Sequence, residues 1–79
     1  MIQRISEPVS VTFGARPLSI IWKSRDYPVT QLGLHHSYRD GATRHHVFSV
    51  VAQDLFFRLN LNTDSLHWTL EEVSDGLPD

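Results

Sequence analysis

The chain has 79 residues, a formal net charge of −2 and no cysteine. A chain of this length forms one domain with a thin core, and on folding it buries about 60% of the surface that the unfolded chain exposes. Without cysteine, the protein has no disulfide scaffold, no thiolate zinc site and no cysteine nucleophile. No apolar run reaches the roughly 18 residues of a membrane span, and residues 1–7 lack the apolar stretch of a secretory signal. We therefore expect a cytoplasmic protein of bacterial type.

The charge is unevenly distributed along the chain. Residues 1–46 carry six bases and three acids, a balance of +3, whereas residues 47–79 carry one base and six acids, a balance of −5. Either the basic half forms a surface for nucleic acid or an acidic partner, or the two halves interleave in the fold and their fields cancel. We favour interleaving, because a net acidic domain is a poor candidate for binding nucleic acid.

Alternation of apolar and polar residues is the main periodicity, and it predicts short β-strands. No segment shows helical spacing with caps at both ends. The predicted strands cover residues 9–13, 18–23, 27–32, 47–52, 55–61 and 66–71. The fourth is apolar on both faces except for Ser49, which indicates a central strand, and one of its faces could pack against a second copy in a homodimer.

Turn signals separate these strands at residues 14–16, 23–26, 53–54 and 60–65, and residues 73–79 are expected to form a frayed tail. Five to six short antiparallel strands in one domain of residues 1–79 predict an all-β fold. We expect a small antiparallel barrel or a strongly bent sheet of the SH3-like or Sm-like type, since closure protects strand edges that a thin core cannot.

The Asp-Gly pair at 40–41 is the strongest local signal, because it favours a two-residue hairpin turn. With this pair at the tip, His36 faces His45, and His35 faces His46. The two histidine pairs then lie on opposite faces of the hairpin, and the opposed Cβ atoms are roughly 5 Å apart.

These pairs have two interpretations. His35 with His46, or His36 with His45, could hold zinc or nickel or act as a switch near pH 6. A structural zinc needs four ligands and a catalytic zinc needs three, however, and each face offers two. We therefore favour polar decoration of an exposed hairpin and assign no cofactor.

The same hairpin is the best candidate for a contact surface. Tyr38 could stack a base while Arg39 and Arg44 bind phosphates, or it could simply pack on Thr43, its expected cross-strand neighbour. Among the aromatic residues, Tyr38 and Phe56 are expected to be exposed and the others to form the core. The candidate contact residues are Tyr38, Arg39, Arg44, His36 and His45.

Catalytic motifs are missing from the sequence. It contains no Gly-x-Ser-x-Gly elbow and no phosphate-binding loop. Glu71 and Glu72 are adjacent on a predicted strand, so their side chains should point apart as solvated edge residues. We predict that the protein has no catalytic activity.

The order of landmarks resembles a small bacterial all-β domain family of unknown function. Its members occur alone or at the C-terminal end of Y-family DNA polymerase-like mutagenesis proteins. The matching segments are residues 8–11, Pro17, 22–29, 46–50, 57–59 and 68–73. The resemblance covers nearly the whole chain and implies an accessory role near DNA repair or translesion synthesis.

Together these observations predict an interaction or adaptor module with a protein partner. Two alternatives remain open. One is weak nucleic-acid binding through the basic half of the chain, and the other is a small metal-binding protein that uses the histidine pairs.

Overall fold

The computed structural model describes residues 1–76, and its secondary structure there consists of seven strands. The predicted all-β class is confirmed, with seven strands instead of five or six. The strands are β1 (Ile2–Phe13), β2 (Pro17–Trp22), β3 (Arg25–Pro28), β4 (Gln31–Asp40), β5 (Thr43–Ala52), β6 (Leu55–Asn62) and β7 (Trp68–Ser74). None of the described residues forms a helix that could cross a membrane.

The strands form one antiparallel sheet in the order β3-β2-β1-β7-β6-β5-β4, curled into a half-barrel. The two edge strands of the sheet, β3 and β4, are joined by residues 29–30. These two residues hydrogen-bond to a strand near each edge. The Val29 amide donates to the Leu18 carbonyl, and the Thr30 amide donates to the Val51 carbonyl. The predicted strand 27–32 is therefore divided, because its middle residues bond to β2 on one side and to β5 on the other.

β1 is longer than predicted, since it pairs with two neighbours in succession. Residues 2–9 pair with β7 and residues 10–13 pair with β2, with a register shift between Arg4 and Glu7. The predicted frayed tail is wrong for residues 73–74, which belong to β7. Val73 is buried, and Ser74 pairs with Ile2. Asp75 and Gly76 are exposed and follow the end of the strand, and the last residues of that prediction, 77–79, lie outside the described part of the chain.

The core lies on the concave face of the half-barrel. Period-two alternation sends one side of each strand inward, and Phe57, Leu59 and Leu70 are almost completely buried there. The rings of Tyr27, Phe48 and Phe57 are buried as predicted, and Tyr38 and Phe56 are exposed as predicted. Phe13 was expected in the core, but 46% of its surface is exposed, because it lies at the open end of the half-barrel.

β5 has neighbours on both sides, although it is next to the edge strand rather than in the middle of the sheet. Its convex-face residue Val47 is 3% exposed and lies between its register partners His36 and Asn60. Ser49 and Val51, on the same face, are only partly buried, so the single chain covers this face in part and the homodimer stays a prediction.

Candidate interaction surface on the β4–β5 hairpin

The hairpin register differs from the predicted one by two positions. Asp40 pairs with Thr43 and Arg39 pairs with Arg44, so the turn residues are 41–42 rather than 40–41. Gly41 has a φ of 61° and Ala42 is not among the positive-φ residues, which is the pattern of a type II′ turn. Because the shift is even, each side chain keeps its predicted face and only its partner changes.

The loop between β6 and β7 explains why the turn lies one residue later. The Thr43 hydroxyl donates to Asp64 Oδ2 at 2.7 Å. The amide and the hydroxyl of Thr63 both donate to the Arg44 carbonyl, at 3.1 and 2.7 Å. These bonds hold residues 43–44 as part of the strand, a long-range constraint that the local Asp-Gly signal does not contain.

His35 and His46 are in contact on the concave face, but as diagonal neighbours, because His35 lies directly opposite Phe48. The Nε2 atom of His35 is 2.9 Å from the Nδ1 atom of His46. The His35 ring also stacks on Phe48, with centroids 4.3 Å apart and an interplanar angle of 2°. The two nitrogens hydrogen-bond to each other, and residues 1–76 contain no cluster of three or more side chains that could ligate a metal.

An apolar cleft of about 350 Å³ opens beside this histidine pair, at the open end of the half-barrel. Phe13 forms part of its wall and contacts both Phe48 and Trp68, at centroid distances of 5.8 and 5.7 Å. The complete lining consists of Phe13, Ala15, Leu32, His35, His46, Phe48, Leu61 and Thr63. Sequence reasoning missed the cleft because it assigned Phe13 to the core.

The convex face of the hairpin carries Tyr38, His36 and His45. Tyr38 and His45 are stacked with centroids 4.9 Å apart and an interplanar angle of 5°. The predicted pairing of His36 with His45 is wrong, since His36 lies opposite Val47 and His45 lies opposite Tyr38. The Nδ1 atom of His45 instead lies 2.8 Å from Asn60 Oδ1.

A row of polar contacts continues from Asn60 across the convex face. Its amide nitrogen donates to the Tyr38 hydroxyl at 2.9 Å and to Glu71 Oε2 at 3.0 Å. Arg58 donates to both Glu71 and Glu72, at 3.2 and 3.1 Å. The predicted divergence of these two glutamates is wrong, because the register with β6 shifts beside Arg58, and β7 is an interior strand rather than an edge.

Arg39 and Arg44 have a different environment from the convex-face residues. They face each other directly across the hairpin, on the concave face that also carries His35 and His46. Both are exposed, and no acidic side chain among residues 1–76 forms an ion pair with either. Arg44 donates to the Ser37 hydroxyl at 3.3 Å. Like charges directly opposite each other are unfavourable, so this arginine pair is available to an anionic group.

The two charged halves of the chain interleave in part. β1 lies beside β7, and the Nε atom of Arg4 is 3.6 Å from Glu72 Oε1. Contacts of this kind bring acids of the second half next to bases of the first half, but within residues 1–76 no acid forms an ion pair with Arg39 or Arg44. The five predicted contact residues are therefore divided between two faces, with the arginines concave and Tyr38, His36 and His45 convex.

β4 is the long edge of the sheet. Nine of its ten residues are exposed and Leu32 is partly buried, while Leu34 in the register shift has 74% of its surface exposed. In an antiparallel edge strand, alternate backbone N–H and C=O groups point away from the sheet and can pair with another chain.

Comparisons of this chain with protein-family models, with curated proteins and with solved structures find no match. Its relation to the domains of mutagenesis proteins stays a prediction. The function is therefore inferred from the geometry of the chain itself.

Proposed function

We propose that this domain is a non-catalytic interaction module that binds an extended acidic segment of a protein partner along edge strand β4. The observation that carries the proposal is the long outer edge of β4 beside Arg39 and Arg44, which form no ion pair within residues 1–76. Main-chain hydrogen bonds along the edge would supply affinity, and side-chain contacts would supply specificity.

The two sheet edges differ in how well they are protected. β3 has four residues and ends at Pro28, and short strands and proline are ordinary ways to block an edge. β4 has ten residues and no proline, and its irregularity is confined to the register shift between Leu32 and His35. Residues 35–40 are in regular register with β5 and present an uninterrupted outer edge.

Charge favours an acidic occupant over a second copy of the chain. Arg39 and Arg44 place two positive charges beside the edge, and a carboxylate binds an arginine guanidinium through charge-assisted hydrogen bonds. Asp40, at the very end, is the one acid of β4. A second copy of β4 would therefore bring few carboxylates to the arginines.

The position of Tyr38 favours a peptide over a nucleic acid. Its ring is stacked on His45 and its hydroxyl accepts a hydrogen bond from Asn60, on the face opposite the arginines. A single strand that stacked a base on Tyr38 could not reach Arg39 and Arg44 on the same face. This separation removes the combination of stacking and phosphate contacts that such binding uses.

The test is an NMR titration of the ¹⁵N-labelled protein with a short peptide of Thr, Val and Glu in which every second residue is Val. We expect shifts and slower amide exchange in residues 33–40 of β4. The double variant R39E/R44E should bind about tenfold more weakly, which is the loss of roughly 1.4 kcal/mol of charge-assisted bonding. The variant K23E/R25E changes the net charge equally at the tip of the β2–β3 hairpin and should bind like the original protein.

A peptide with Lys in place of Glu should bind weakly, and equal affinity for the two peptides would contradict the proposal. An absence of shifts in β4 with the acidic peptide would contradict it as well. The affinity of the protein for labelled single-stranded DNA is measured at two salt concentrations. Tight binding that falls steeply with salt, without peptide binding, would instead establish the nucleic-acid alternative. Protection of β4 that depends only on protein concentration would establish a homodimer.

A further inference from the structure

We infer that the cleft beside β4 receives an aromatic side chain of the bound segment, four residues away from a carboxylate that binds Arg39 and Arg44. This inference rests on the proposed function and defines the sequence that the module would recognise. The juxtaposition of an apolar cleft and an arginine pair on one face of one edge strand carries it.

The cleft is suited to a ring. Its volume of about 350 Å³ holds one large side chain, and its walls include the rings of Phe13, His35 and Phe48. Aromatic rings gain energy from edge-to-face and offset contacts beyond the area they bury. Phe13 is half-exposed although it packs on Phe48 and Trp68, so a ring placed against it would complete this end of the core.

The histidine pair also leaves two polar positions at the cleft. The hydrogen bond between the rings uses His35 Nε2 and His46 Nδ1. Both residues line the cleft, and within residues 1–76 the Nδ1 atom of His35 and the Nε2 atom of His46 form no hydrogen bond, so they remain for a ligand. A tyrosine hydroxyl or an indole N–H, which combine an apolar ring with one polar atom, can bind there.

The register of the hairpin sets the spacing of the recognised residues. His35, Ser37 and Arg39 follow one another on the concave face of β4, so the cleft and the arginines are four residues apart. That separation is about 14 Å along a strand. A strand added to β4 sends every second side chain to the same face, so its ring and its carboxylate must be four positions apart. At three positions apart they would lie on opposite faces.

Four synthetic peptides of alternating Thr and Val test the inference. Two carry Phe and Glu four positions apart, in either order, since the strand can add in either direction. The third has the same composition with Phe and Glu three positions apart, and the fourth has Ala in place of Phe. We expect one of the first two to bind about tenfold more tightly than the Ala peptide, and the third to bind no better than the Ala peptide.

The indole N–H signal of Trp68 reports on the cleft through two residues of its wall, and the signal of Trp22 serves as the control. Trp68 packs against Phe13 and Phe48, whereas Trp22 packs elsewhere, against Tyr27 and Phe57. The correctly spaced Phe peptide should shift the Trp68 signal and leave that of Trp22 in place. The Ala peptide should shift β4 amides without moving the Trp68 signal.

A matched pair of variants separates cleft binding from edge binding. Ala15 is exposed in the β1–β2 turn and lines the cleft, so A15W should fill the cleft and abolish the preference for Phe. Thr12 is exposed on the convex face of β1, and T12W should leave the preference unchanged.

The outcomes distinguish the two proposals. Equal affinity for all four peptides, with shifts in β4, would overturn the inference and leave the edge-binding function intact. Equal affinity for the two spacings would overturn the proposed register. Binding of none of the peptides would overturn both proposals.

Discussion

At the scale of single residues, Asn60 organises the convex face. It is 7% exposed and is the one buried polar residue in the described part of the chain. Its amide oxygen can only accept, so the Nδ1 atom of His45, 2.8 Å away, must carry the proton. Its amide nitrogen donates to Tyr38 and Glu71, so this side chain connects residues of four strands.

Replacement of Asn60 by Ala should destabilise the domain by about 2–3 kcal/mol, because it leaves the hydrogen-bonding groups of His45 and Glu71 without this partner in a partly buried row. Urea denaturation measures the effect. Tyr38→Phe removes one partly buried hydrogen bond from the same row and leaves the other two bonds of Asn60 in place, so it should cost only about 0.5–1 kcal/mol. Equal losses in the two variants would contradict the central role of Asn60.

The histidine pair on the concave face should not act as a zinc site. The Nε2 atom of His35 and the Nδ1 atom of His46 bond to each other at 2.9 Å, and a stable zinc site needs at least a third protein ligand. We expect added Zn²⁺ to leave Tm unchanged in a thermal melt. A rise in Tm that His46→Gln abolishes would contradict this prediction and support the metal-binding alternative.

At the scale of elements, three hairpin turns contain residues with positive φ, but only one of these turns has a glycine at such a position. Gly41 supplies the one positive φ that its type II′ turn requires. The turns at Lys23–Ser24 and Gln53–Asp54 have positive φ at both positions and contain no glycine. Non-glycine residues are strained in this region, so these two turns carry a cost that the strand pairing around them offsets.

Asp54→Gly should therefore stabilise the domain by about 0.5–1 kcal/mol, since Asp54 has a φ of 62°. Ser24→Gly, at an identical φ in the other turn, should have a similar effect. Chemical denaturation of both variants checks the prediction. The reverse change, Gly41→Ala, has free space around the new Cβ and should still cost about 1 kcal/mol because of its φ. Destabilisation by Asp54→Gly would show that glycine's additional freedom in the unfolded chain outweighs the relieved strain.

At the scale of the whole molecule, the curled sheet buries the inward side chains at the centre of the half-barrel, whereas inward side chains at its open end stay partly exposed. Leu59 and Leu70 are fully buried at the centre, whereas Phe13 and Leu18 near the open end are about half exposed. A domain of this size has only a few kcal/mol of stability, so the central residues must carry most of it.

Leu59→Ala should cost about 3 kcal/mol, through lost burial and a cavity, and should leave much of the protein unfolded at 37 °C. Circular dichroism during thermal unfolding measures the change. Leu66→Ala is the matched control, because Leu66 is 69% exposed in the β6–β7 loop, and it should leave Tm nearly unchanged. A comparable loss in the control would place the core elsewhere.

Much of the fold follows from the sequence, because strand periodicity is a local property. Alternation over residues 18–23 and 55–61 predicts β2 and β6, and the turn at 53–54 is present as predicted. Alternation does not reveal β1 before Val9 or the end of β7, since those residues become strands by pairing with each other. The histidine contact on the concave face was also predictable, because an even register shift preserves the face of each side chain.

The sequence by itself determined the all-β class, most of the strands, the buried rings of Tyr27, Phe48 and Phe57, and a basic hairpin rich in histidine. Only the tertiary structure decided the hairpin register, the cleft beside Phe13, the meeting of Glu71 and Glu72 at Arg58, and the free edge of β4. Side-chain alternation depends on neighbours in the chain, which a sequence displays directly. Register, curvature and edge position depend on contacts between residues far apart in sequence, and those form only when the whole sheet assembles.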